Sequence, residues 1–139
     1  MRADEIMSDD VITIRATQTV ADALEVFSER RVRHLPVLGD AGQLVGMLSD
    51  RDVRSLGVPQ PLDGQSLDRL RERLRAAVSS AMQGDVATVA PETDLRELID
   101  TMLDAGVGAL PVIDADSDTL VGIVSYVDVL RAVALEEAA

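Results

Sequence analysis

Apolar residues along this chain recur with two alternating periods, and the alternation writes the same small unit twice. Short β-branched runs open each unit, at Val11–Ile14 and at Val86–Val89. Helical spacing follows: Val20, Ala23, Leu24 and Phe27 in the first unit, and Leu95, Leu98, Ile99 and Met102 in the second. Such spacing gives each helix one face to bury. Thr19 with Asp22, and Asp94 with Glu97, place a capping oxygen ahead of an acid three residues on, the pattern of a capping box. Next come Leu35–Leu38 and Leu110–Ile113, each followed by a polar turn and a second apolar run, Leu44–Leu48 or Leu120–Val124. These pairs predict hairpins. A final helix begins at Ser49 or Ser125, so the predicted order is β-α-β-β-α, twice.

The duplication is legible residue by residue. A shift of 75 lays Met7, Asp10, Val11, Thr13, Leu35, Pro36 and Val37 on Met82, Asp85, Val86, Thr88, Leu110, Pro111 and Val112. A one-residue insertion in the turn makes the shift 76, and Leu44, Gly46, Ser49 and Asp52 then meet Leu120, Gly122, Ser125 and Asp128. A repeat at fixed spacing means one supersecondary unit used more than once. The expected division is a first repeat over 1–56, a linker over 57–80 and a second repeat over 81–139. Gly57–Gly64 is rich in chain breakers. After it, Leu67, Leu70, Leu74 and Val78 share a helical stripe, while Arg69, Arg71, Arg73 and Arg75 form a solvated face beside Asp68 and Glu72.

Composition narrows the chemistry. One Phe, one Tyr and no Trp leave no aromatic platform for stacking bases, and a formal net charge of −12 opposes phosphate-backbone binding, so no nucleic-acid partner is expected. The charge is uneven. Through Arg75 there are eleven Arg against thirteen acids, a net of −2; from Ala76 onward two Arg face twelve acids, a net of −10. An anion site therefore belongs in the first half. The absence of Cys excludes disulfides and thiolate chemistry. No apolar run is long enough to span a membrane, and the first ten residues carry no signal pattern, so a cytoplasmic location is expected.

The ordered pattern Met-x-x-x-Val-x-Thr, helix, Leu-Pro-Val, then Gly-hydrophobic-hydrophobic-Ser-x-x-Asp resembles the cystathionine β-synthase (CBS) domain, and its two copies resemble a tandem CBS pair, from about Ile6 to Val133. The resemblance implies an α/β (α+β) fold in which two repeats pack about a pseudo-twofold axis. It implies clefts between the repeats for an adenosine-type ligand: AMP, ADP, ATP, S-adenosylmethionine or a dinucleotide. It further implies a homodimer of disc-like shape and a regulatory role toward a protein partner.

Within that frame Ser49, Arg51 and Asp52, with Ser125 and Asp128 in the second copy, are candidate ligand-binding residues. Each Ser-x-x-Asp is also a capping box worth about 1 kcal/mol. A carboxylate fixed there can accept hydrogen bonds from two ribose hydroxyls, and charge-assisted bonds are the strong ones; the two roles are compatible. Gly46 and Gly122 fit either tight packing or a close ligand. Arg33, His34 and Arg51 match positions that touch phosphate in family members, whereas their counterparts Gly108, Ala109 and Val127 carry no charge. A purely structural role for His34, the only histidine, remains open. Val11, Ile12, Val86 and Ala87 would line the base. Two equivalent phosphate sites are thus not expected. Asp114–Asp118 has no glycine at the sixth position of a calcium loop and reads as a turn. No metal, required cofactor or catalytic constellation is expected with one His and no Cys. Ligand sensing is one expectation; a constitutive scaffold with empty clefts, in which both motifs serve only as caps, is the other.

Overall fold

A computed structural model describes residues 1–55 and 64–138, and most of the breaker-rich linker, residues 57–63, lies outside them. In chain order the elements are α1 (Ala3–Ile6), β1 (Ile14–Arg15), α2 (Val20–Arg30), β2 (His34–Leu38), β3 (Leu44–Ser49), α3 (Asp50–Arg54), α4 (Gly64–Arg75), a 3-10 turn at Val78–Ser80, α5 (Leu95–Ala105), β4 (Ala109–Asp114), β5 (Thr119–Ser125) and α6 (Tyr126–Ala138). They form two compact units: Ile12–Asp85, and Met1–Val11 together with Val86–Ala139. Mixed helices and strands, used in two repeats, make this an α+β fold.

In the Ile12–Asp85 unit, β1 runs parallel to β2, and β2 pairs antiparallel with β3. The opening run predicted from Val11 to Ile14 pairs only from Ile14, which stands opposite Val37. Pro36 supplies the reason. In a parallel ladder the residue two before Ile14 needs the N–H of residue 36, and proline has none. The Val86–Ala139 segment repeats this: Val89 donates to the Pro111 carbonyl and accepts from Ile113, and pairing does not extend back toward Ala87. Each proline also aims its missing donor away from the hairpin, so β2–β3 and β4–β5 remain intact through Pro36–Met47 and Pro111–Ile123.

Helix α2 starts as its residues predict. Thr19 Oγ1 accepts from the Asp22 N–H and the Asp22 carboxylate accepts from the Thr19 N–H. On α5 only half of that box forms, with Asp94 accepting from the Glu97 N–H. Val20, Ala23 and Phe27 then close over Leu35, Val37, Leu48 and Val53. Val78 leaves the helical stripe predicted for it. Helix α4 ends at Arg75, and Val78 and Ser79 turn to donate to the Gln18 and Ala16 carbonyls, which buries Val78 completely. The second core gathers Leu95, Leu98 and Met102 of α5 with Leu110, Val112, Val124 and Val129, and Ala3 of α1 lies fully buried among them.

The methionine that opens each repeat packs on the hairpin of the other copy's sequence. Met82 and Gln83 run beside β3, where Gln83 and Met47 exchange both backbone hydrogen bonds at 2.9 Å. Met7 and Ser8 run beside β5 in the same way, with Ser8 and Ile123 exchanging theirs. Gly46 and Gly122 are required by these contacts. A Cβ at Gly46 would overlap the Met82 Sδ and stand 2.9 Å from the Gln83 carbonyl oxygen; at Gly122 it would overlap the Met7 Sδ. Packing against a methionine therefore accounts for both mid-strand glycines.

Candidate functional site

The first-copy site forms where β3 turns into α3. The Ser49 Oγ accepts from the Asp52 N–H at 3.0 Å, and the Asp52 Oδ2 accepts from the Ser49 N–H at 2.9 Å. The sheet brings His34 directly opposite Ser49, and the Asp50 N–H donates to the Arg33 carbonyl at 2.9 Å. Arg33 and His34 are thereby fixed beside the Ser-x-x-Asp turn, although fifteen or more residues separate them in sequence. Arg33 and Arg51 are exposed, whereas Ser49, Asp52 and His34 are half-buried. Helix α3 is five residues long, so the carboxylate and the cations, rather than a helix dipole, give this place its chemistry. Burial pushes the His34 pKa below its ordinary 6.5; the Asp50 and Asp52 carboxylates oppose that shift, and Arg33 adds to it.

Gln83 joins the site unannounced by the sequence. Its side-chain Nε2 donates to the Asp52 Oδ1 at 3.3 Å. No motif marks it, and its repeat partner is Ser8, a residue of different size and chemistry. Only the pairing of its backbone with Met47 reveals where its side chain starts.

The second copy is built alike and finished differently. Ala109 stands opposite Ser125, and the Tyr126 N–H donates to the Gly108 carbonyl. Here the Asp128 Oδ2 accepts from both the Ser125 N–H at 2.9 Å and the Ser125 hydroxyl at 3.0 Å. The Ser125 Oγ in turn accepts from the Asp128 N–H at 3.3 Å. No arginine or histidine occupies the positions matching Arg33, His34 and Arg51.

The opening-strand candidates divide between the units. Ile12 packs on the core of the Ile12–Asp85 unit together with the first-copy site. Val11, Val86 and Ala87 belong to the other unit with Ser125 and Asp128, and Ala87 packs on its core. Pro36 and Pro111 withdraw the sheet donors that the Ile12 and Ala87 carbonyls would otherwise use. An open depression lined in part by Thr88, Glu97, Thr101 and Asp118 lies in the second unit and includes neither Ser125 nor Asp128. The Asp114–Asp118 segment forms a hairpin turn, with the Asp116 N–H donating to the Asp114 carboxylate. Among the described residues no group of three or more His, Cys, Asp or Glu could hold a metal ion, and no helix is long and apolar enough to cross a membrane.

Comparison with known proteins gives consistent results. The model of the CBS domain matches residues 3–58 and again residues 78–135. The 5'-AMP-activated protein kinase subunit gamma-3 of Bos taurus is 34% identical over 132 residues, covering 93% of this chain and 25% of that protein. A CBS domain-containing protein of Dictyostelium discoideum is 32% identical over 127 residues, covering 91% of this chain and 86% of that protein. The chain thus spans about a quarter of the gamma-3 subunit and most of the Dictyostelium protein. Among solved structures, CBSX2 in complex with AMP superposes with a TM-score of 0.78 at 30% identity, covering 99% of this chain and 98% of that one.

Proposed function

Because the chain belongs to the CBS-domain family, we propose that it is a non-catalytic regulatory module that senses an adenosine-type nucleotide at the Ser49–Asp52 site and passes its state to a protein partner. The observation that carries this reading is the convergence of Arg33 and His34 on the Ser49–Asp52 turn through the His34–Ser49 register. Capping needs Ser49 and Asp52 alone; it does not call for cations. The AMP held by CBSX2, a relative covered almost end to end, supports the same ligand class here.

In this reading Asp52 accepts the ribose hydroxyls, Arg33, His34 and Arg51 face phosphate, and Ile12 lines the base with aliphatic contacts and its backbone. AMP, ADP and ATP suit these cations. Ser125 and Asp128, with Val11, Val86 and Ala87, offer a ribose acceptor without phosphate partners, which suits S-adenosylmethionine or a similar weakly anionic adenosyl compound. Dinucleotides fall between the two classes.

The scaffold reading rests on a specific observation as well, since the reciprocal hydrogen bonds within each Ser-x-x-Asp turn already make a complete cap. Thermal unfolding with AMP, ADP, ATP, S-adenosylmethionine and NADH, run on the parent and on Asp52→Ala, separates the two. At about 100 times its dissociation constant a ligand adds about 2.7 kcal/mol. Stabilisation by an adenine nucleotide that Asp52→Ala abolishes supports sensing. No shift with any compound, together with a loss of about 1 kcal/mol in Asp52→Ala, supports the scaffold.

Besides that protein partner, we propose a homodimer, which exposed residues favour. Leu103 on α5 and Leu130 on α6 are 74% and 61% exposed, and Tyr126 and Val133 lie exposed on the same stripe as Leu130.

A further inference from the structure

The two Ser-x-x-Asp turns differ in where one proton goes. In the second copy the Ser125 hydroxyl donates to the Asp128 Oδ2. In the first copy Ser49 makes only the reciprocal capping bonds with Asp52, and no acceptor among the described residues takes its hydroxyl proton. What differs nearby is a third group. Gln83 Nε2 donates to the Asp52 Oδ1, whereas at the matching position Ser8 is too short to act and no donor among the described residues reaches the Asp128 Oδ1.

Gln83 is well placed to act on that carboxylate. Its backbone is clamped to Met47 by two hydrogen bonds of 2.9 Å, and Gly46 lets the strand approach so closely that a Cβ there would stand 2.9 Å from its carbonyl oxygen. The side chain therefore starts from a fixed point, and the amide pulls on the carboxylate oxygen that Ser49 does not use. A carboxylate drawn this way keeps one lone pair open on each oxygen for a vicinal diol. It also leaves the Ser49 hydroxyl free to donate to an anion, beside Arg33 and His34.

We infer that Gln83 is a specificity-determining residue: by holding the Asp52 carboxylate it frees the Ser49 hydroxyl, and so makes the first copy the site that prefers a phosphorylated ligand. This rests on the nucleotide-sensing reading above, and the amide acts through Asp52 and Ser49 rather than on the ligand.

The test measures dissociation constants of AMP and adenosine by titration calorimetry for the parent, Gln83→Ser and Gln83→Met. Gln83→Ser reproduces the second copy, and Gln83→Met keeps the bulk while removing the amide. Because the Gln83 backbone carries the strand pairing and its side chain is exposed, both variants are expected to keep the parent's unfolding transition. The expected result is that the parent prefers AMP, and that both variants narrow the AMP-to-adenosine ratio about tenfold, the worth of one charge-assisted hydrogen bond, with adenosine affinity within about twofold of the parent. A ratio that stays unchanged while AMP still binds overturns the role of Gln83 alone. Equal weakening of AMP and adenosine overturns it too, because a ribose or packing contact would then suffice. If the parent binds neither compound, the sensing reading falls and takes this assignment with it.

Discussion

At His34, burial disfavours the protonated ring, the Asp50 and Asp52 carboxylates favour it, and Arg33 opposes it; burial is the largest effect and the pKa lies below 6.5. Between that lowered pKa and 6.5 the unfolded chain binds more protons than the folded one. Stability therefore rises with pH across this window and is lost as pH falls through it. Chemical denaturation between pH 7.5 and 5 is expected to show a falling unfolding free energy below about 6.5, the ordinary histidine value. In His34→Asn that slope is expected to flatten. An equal slope in the variant would mean that His34 is not the source of the pH dependence. His34 was a candidate from the sequence because its place before Leu35 matches one that touches phosphate in members of the family it resembles. The sequence did not identify Gln83, whose contact with Asp52 spans 31 residues and depends on a strand pairing with no motif of its own.

Among the elements, the glycines in β3 and β5 look equivalent in sequence and are not equivalent in their surroundings. A Cβ at Gly46 meets the Gln83 backbone oxygen as well as the Met82 side chain, and the strand cannot yield without breaking its pairing with Met47. At Gly122 only Met7 side-chain atoms stand in the way, and a methionine can repack. Gly46→Ala is expected to cost about 1–3 kcal/mol, the usual price of overpacking, and Gly122→Ala clearly less. Denaturant melts of the two variants, with Gly122→Ala also made in a Met7→Ala background, check this. Equal costs would mean that the backbone oxygen at Gly46 is not the obstacle. The helices and hairpins were legible because their apolar spacing and capping residues act locally. The shortening of both opening strands was hidden in Pro36 and Pro111, since a missing N–H matters only once the neighbouring strand is known.

On the scale of the whole molecule, charge and apolar exposure are unevenly shared. The positions matching Leu103, Tyr126, Val127 and Leu130 in the first copy are Ser28, Asp50, Arg51 and Arg54. The second copy thus presents apolar side chains where the first presents polar and charged ones. If a second copy of the chain covers them, Leu130→Glu is expected to raise the dimer dissociation constant at least tenfold without moving the unfolding transition of the monomer. Arg54→Glu, the control in the first copy, is expected to leave association intact. Sedimentation velocity reads both. The net charge of −12 adds a signature, because screening like charges should strengthen the dimer as salt rises. A parent that stays monomeric at every concentration and salt rules out the homodimer.

The sequence by itself determined the duplication, the helix faces, the hairpins, the Ser-x-x-Asp turns and the unequal distribution of cations, because spacing, capping and charge are properties of neighbouring residues. Only the tertiary structure decided that Met82–Gln83 packs on β3 and Met7–Ser8 on β5, that both mid-strand glycines answer to methionines, and that Asp52 and Asp128 bond differently. Those outcomes depend on hydrogen bonds and contacts between segments far apart in the chain. Their energy appears only when strand register brings the partners within about 3 Å.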